Sequence, residues 1–181
     1  MRLLLKILLI TGASLAALAL ALVGWFYISG ELNIRRAAKD AITETARCDS
    51  TRYVTEQPTV KLVGFARADI KELHFYRLAG HKIVQDTLVS RPYNENEYAY
   101  QRMPIPFVRF LKSDTIVVET RNKRYFKLAG YHHYAYLHYG MFGYLGSSDC
   151  RLSDDCVING KASENGQLVA AEGLKKCVLP R

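Results

Sequence analysis

The stretch Ile7–Ile28, ILLITGASLAALALALVGWFYI, decides how the rest of the chain is read. It carries no charge, and Thr11 and Ser14 are its only small polar side chains. Its 22 residues make a helix of about 33 Å, which matches a hydrocarbon core of about 30 Å. Trp25, Phe26 and Tyr27 stand near its far end, where amphipathic rings favour the headgroup region. Residues 7–28 are therefore expected to cross a membrane. Residues 1–30 read as a transmembrane signal-anchor, and everything after them as a domain held near that membrane or delivered across it.

Working outward to the start, Arg2 and Lys6 supply the basic flank of an export signal, and Ala19-Leu20-Ala21 is an A-x-A cleavage pattern. The apolar run continues past it through Leu22, Val23 and the aromatic trio. That exceeds the usual signal core of about 7–15 residues, so an uncleaved anchor is expected, with cleavage and release into the periplasm as the alternative. Arg35, Arg36 and Lys39 on the far side nearly balance the N-terminal charges, so the positive-inside rule leaves the orientation open. The four cysteines, Cys48, Cys150, Cys156 and Cys177, all follow the run. An even number in an oxidising compartment suggests two disulfides. The expected topology is thus a single pass through a bacterial inner membrane with the C-terminal domain in the periplasm. Three connectivities are open. The short loop Cys150–Cys156 with the closing bridge Cys48–Cys177 is favoured, and no C-x₂-C pair supports a zinc site.

Residues 31–47 contain Leu32, Ala37, Ala38, Lys39, Ala41 and Glu44 without Gly or Pro, and read as a juxtamembrane helical stem. Arg35, Arg36 and Lys39 can snorkel there to phosphate headgroups. Residues 48–181 then form an extracytoplasmic β domain. Val60–Phe65 reads as a strand, Ile70–Leu78 and Lys82–Val89 as a hairpin about Gly80, and Phe107–Leu111 as a short strand. Thr115–Thr120 is rich in β-branched residues and Tyr125–Leu128 returns from it. Ser90–Pro106, with three prolines and Tyr93, Tyr98 and Tyr100, reads as a long loop, either a binding element or an insertion that caps the core. Asn159-Gly160 and Asn165-Gly166 mark turns, and Gln167–Lys176 fits either a short helix or a final strand. The fold class expected is mainly β: a transmembrane helix and helical stem followed by a small antiparallel β-sandwich or barrel.

The most unusual part is Gly130–Gly146, which packs His132, His133 and His138 among five tyrosines. As a strand it puts His132, Tyr134, Tyr136 and His138 on one face, with the end histidines about 20 Å apart. As a helix, spacings of five and six do not bring either of the first two beneath His138. A metal site formed by His132, His133 and His138 needs a bent backbone, and a haem ligand here lacks a haem motif. Segment 131–139 is better read as an aromatic strand, either filling the edge of the core or meeting a partner. Asp149, Asp154 and Asp155 do not follow a calcium-loop pattern.

The formal net charge is +8; Arg2 and Lys6 aside, the remainder carries 23 bases against 17 acids. The bases are scattered, which favours an anionic envelope component or an acidic protein over nucleic acid. No Ser-Met pair follows the anchor, no Thr-Leu-x-Thr-Cys occurs, and neither G-x-S-x-G nor H-E-x-x-H is present. An enzyme is therefore less expected than a binding module, and no cofactor is expected. The expected contact residues are Tyr134, Tyr136, His138, Tyr139, Tyr98 and Tyr100. The alternative is a metal- or haem-handling protein that uses the three histidines.

Overall fold

Helix formers run without a proline from Arg2 to Asp49, and in the computed structural model they form one continuous helix, α1 (Arg2–Asp49). The structure describes residues 2–90, 101–141 and 143–179. At 48 residues α1 is about 72 Å long. Pairs one turn apart brace its exposed stem, Glu31 with Arg35 at 2.9 Å and Arg36 with Asp40 at 3.8 Å. Such pairs contribute about 0.3–0.5 kcal/mol each. The apolar part of α1 is long and apolar enough to cross a membrane, and its apolar stretch is not buried among the described residues.

Beyond α1 the chain alternates short strands and turns. In order come β1 (Tyr53–Val54), β2 (Thr59–Val63), the single turn α2 (Arg67–Ile70), β3 (Glu72–Ala79) and β4 (Lys82–Ser90). They are followed by β5 (Gln101–Pro104), β6 (Phe110–Leu111), β7 (Thr115–Thr120), β8 (Tyr125–Ala129), β9 (His133–Gly140) and β10 (Gly143–Leu152). The last are β11 (Cys156–Ile158), β12 (Lys161–Ser163) and β13 (Gln167–Val169), so the segment Gln167–Lys176 opens as a three-residue strand and continues as a 3-10 turn at Ala170–Glu172. Two compact units result. The first holds Met1–Glu44 and Ala135–Asp149, and the second Thr45–Tyr134 and Cys150–Arg181.

The second unit is built on a six-stranded antiparallel sheet in the order β12-β11-β8-β7-β3-β4. Alternation in β3 points Leu73 and Phe75 to one face, where Ile116 and Val118 of β7 and Phe126 and Leu128 of β8 join them. Val60 and Leu62 of β2, Met103 of β5 and Leu168 of β13 complete the same core. Each such side chain contributes about 1.5–3 kcal/mol on burial. The sheet ends on β12 and β4 and does not close into a barrel. The second sheet, β13-β2-β5, has one parallel pair, β13 with β2, so the domain is not wholly antiparallel. The hairpin about Gly80 forms as its sequence predicts, with Gly80 at φ +59°. Its first strand starts at Glu72, because Ile70 ends the turn α2 and is buried there. Asn159-Gly160 turns β11 into β12 with both residues at positive φ, 52° and 83°, the backbone that a tight hairpin requires.

Three expectations are corrected. The bridges Cys150–Cys156 and Cys48–Cys177 do not form: Cys48 is bonded to Cys150, with Cα atoms 5.3 Å apart, and Cys156 and Cys177 are free. Cys156 opens β11 with its side chain turned into the core beside Ile158. Cys177 lines a cleft with Leu78, His81 and Lys127. Of the expected loop Ser90–Pro106, residues 91–100 lie outside the described residues, Ser90 ends β4, and Gln101–Pro104 form strand β5, which pairs with β2, since Met103 has a core position to fill. Phe107–Leu111 contributes only the two-residue β6, because Phe107 packs into the core outside any strand.

Candidate functional site

In the first unit a β-hairpin lies along the helical stem. Small residues allow the close approach: a side chain at Gly143 would meet Asn33, and one at Gly146 would lie 3.2 Å from the Arg36 guanidinium. Further along, Ser148 Oγ donates to Glu44 Oε2 at 3.3 Å. Tyr144 is buried, and its hydroxyl bonds the Asp40 carboxylate. Removal from water and this bond both push the phenol pKa up. Between stem and hairpin runs an apolar groove of about 530 Å³, lined by Ile34, Ala37 and Ala41 on one side and Leu137 and Tyr139 on the other.

The strand β9 alternates as expected from His133 to Leu137, and the alternation ends at His138 and Tyr139. Tyr136 is exposed, and His138, two residues on, is half-buried. Their rings meet edge to face with centroids 5.7 Å apart. His138 Nε2 lies 2.8 Å from Asp149 Oδ2 on β10. Tyr139 is exposed on the opposite side, its ring 5.8 Å from that of Tyr144. This part of the hairpin thus presents rigid aromatic surface with one carboxylate-bound imidazole, an arrangement suited to packing and hydrogen bonding against a partner.

The other expected site residues are placed in the second unit or outside the described residues. Tyr134 is exposed there, whereas Tyr131 is buried edge to face on Phe110. His133 is buried, with Nε2 3.1 Å from Glu56 Oε2. Burial, the largest single influence, would raise the Glu56 carboxyl, but the bond to His133, backbone bonds from Glu56 and Thr55 and the His133 charge together hold its pKa below the usual value. His132 is exposed. Among the described residues no group of three His, Cys, Asp or Glu side chains is placed to hold a metal ion. Tyr98 and Tyr100 lie outside the described residues.

A polar cluster that sequence reasoning passed over lies across β4, β3 and β7. Asp86 Oδ2 lies 3.0 Å from His74 Nε2, and His74 Nδ1 lies 2.8 Å from the Tyr76 hydroxyl. That hydroxyl donates to Glu119 Oε2 at 2.7 Å, and Lys123 and Tyr125 bond the other oxygen of the same carboxylate. Burial and Glu119 push the Tyr76 pKa well up. Burial alone would raise Glu119, yet its bonds from Lys123 and Tyr76 hold it below the usual carboxylate range. The period-two pattern shows that His74 and Tyr76 share a face. The pairing of His74 with Glu119 and of Tyr76 with Asp86 is a matter of register, which only the folded sheet supplies.

Comparison of the chain with protein-family models, with curated proteins and with solved structures returns no match.

Proposed function

We propose that this chain is a single-pass protein of a bacterial inner membrane whose periplasmic β domain is a binding module for a protein or an anionic component of the cell envelope. Three features support the reading. The uncovered apolar part of α1 needs an apolar surrounding, which a bilayer supplies. The bond between Cys48 and Cys150 suits an oxidising compartment. The exposed Tyr136 beside His138, on a hairpin braced by the stem, is the observation that carries the binding role. Tyrosine supplies large contact area at little cost in side-chain freedom. The excess of 23 bases over 17 acids beyond the apolar run steers an anionic partner toward the domain.

The test is photo-crosslinking in intact cells, with a photoreactive phenylalanine at Tyr136 in the full-length chain. One stoichiometric envelope partner is expected, and its capture from a distal crosslinking position is expected to vanish in a Tyr136→Ala, His138→Ala chain that remains folded and membrane-bound. Unchanged capture by that double variant would overturn the assignment of this face.

A further inference from the structure

We infer that the turn joining β9 to β10 dips into the headgroup layer of the membrane that α1 crosses, so that the first unit grips the bilayer at two points. The inference rests on the anchor reading above.

The direction of the hairpin carries it. Its contacts with α1 run Ser148 to Glu44, Gly146 to Arg36 and Gly143 to Asn33. Residue numbers fall together on both elements, so the hairpin descends the stem toward Ile28, the last residue of the apolar run. Asn33 lies five residues past Ile28, or about 7.5 Å along the helix. The headgroup layer is about 5–8 Å deep on each side of the core. Gly143 therefore sits at the outer edge of that layer, and Met141 reaches beyond it toward the lipid.

The composition of the turn agrees with that depth. Tyr139–Gly146, YGMFGYLG, contains no charged residue. A turn that ends in water is ordinarily built from Asn, Asp, Ser, Gly or Pro. Here Met141 is 92% exposed, Leu145 65% and Tyr139 63%. Gly143 at Asn33 is six residues past Tyr27, or about 9 Å, so Met141 on the turn is the nearest of these to the level of Trp25, Phe26 and Tyr27, which are also exposed on α1, and Tyr139 and Leu145 follow it outward along the stem. Together they make an aromatic and apolar belt of the kind found at membrane interfaces. Arg35, Arg36 and Lys39 lie on the water side of the same level, where anionic headgroups are favourable partners.

The test uses the full-length chain in vesicles of phosphatidylethanolamine and phosphatidylglycerol, with and without acyl chains brominated near the headgroup. The native chain has a single tryptophan, Trp25, and reports on the anchor. A Trp25→Phe, Met141→Trp chain reports on the turn. The expected result is blue-shifted emission from both chains, each losing intensity on the brominated lipid, with little quenching by acrylamide. Emission from the Met141→Trp chain that ignores bromine but yields to acrylamide would overturn the inference while the quenched native chain upholds the anchor. Emission from the turn that ignores both quenchers would overturn it in favour of a protein surface covering the turn. Loss of bromine quenching in both chains would remove the anchor reading and the inference with it.

Discussion

Cys48, fully buried at the end of α1, is bonded to Cys150 on β10 across a separation of 102 residues. The bridge joins the last turns of the stem helix to a strand from the far half of the domain. A loop of that length, once closed, withdraws much of the freedom of the unfolded chain, worth about 4.7 kcal/mol on the entropic account.

Non-reducing digestion is expected to give one linked peptide pair, Cys48 with Cys150, and two alkylatable thiols. A Cys48→Ser, Cys150→Ser chain should lose about 2–5 kcal/mol of stability in urea unfolding of the β domain. A pair containing Cys156 or Cys177 would contradict the structure.

The two free thiols should react differently. Burial, with Asp155 and Asp154 nearby, pushes the Cys156 thiol up to about 11, so it stays protonated at neutral pH and out of reach. Cys177 is only half-buried. Timed alkylation with iodoacetamide, read by mass spectrometry, should label Cys177 first and reach Cys156 only on unfolding.

Acid should destabilise the β domain through carboxylates whose folded pKa values are depressed. Glu119 and Glu56 both fall below their ordinary value of 4.5, and Asp49, bonded by Lys112, falls below 3.8. Stability from a depressed carboxylate is complete above its unfolded value and is lost as pH falls through the folded one. Urea midpoints should therefore hold from pH 7 down to the ordinary carboxylate values and drop below them. Glu119→Gln should flatten that slope. Tyr76 acts with the opposite sign: its raised pKa means that stability is complete below pH 10 and declines above it, as the unfolded phenol ionises first. Tyr76→Phe should remove the alkaline decline.

Gly173 has a φ of −63°, which alanine adopts without strain. A methyl group there would nevertheless lie 2.8 Å from the Phe126 ring and 2.9 Å from Arg124 Cβ. Gly173→Ala should cost about 1–3 kcal/mol by overpacking, measured as a lowered urea midpoint with an unchanged slope. A midpoint equal to that of the native chain would show that the C-terminal segment yields.

Much of the β architecture was legible because local signals suffice for it. Thr115–Thr120 is a strand because β-branched side chains fit a pleated surface, and β3 and β4 follow from alternation about a glycine that tolerates positive φ. That Tyr136 and His138 share one face of β9 was likewise readable from a period of two, whereas their unequal exposure was not. The Asp86–His74–Tyr76–Glu119 cluster was not, since its members come from three strands and meet only through register. Strand β5 was hidden by prolines and asparagines around it, and its reason for pairing, the core position of Met103, is a property of the assembled sheet.

The sequence by itself determined that the chain begins with a helix long and apolar enough for a bilayer and continues as mainly β structure, because charge-free length and residue periodicity are local quantities. The tertiary structure alone decided which cysteines meet, that one strand pair runs parallel, and that the hairpin from Gly146 to Gly143 runs down the stem toward the apolar part of α1. Each of these depends on residues far apart in the chain being brought within a few ångströms. No local pattern encodes that distance; the packing of the whole core sets it.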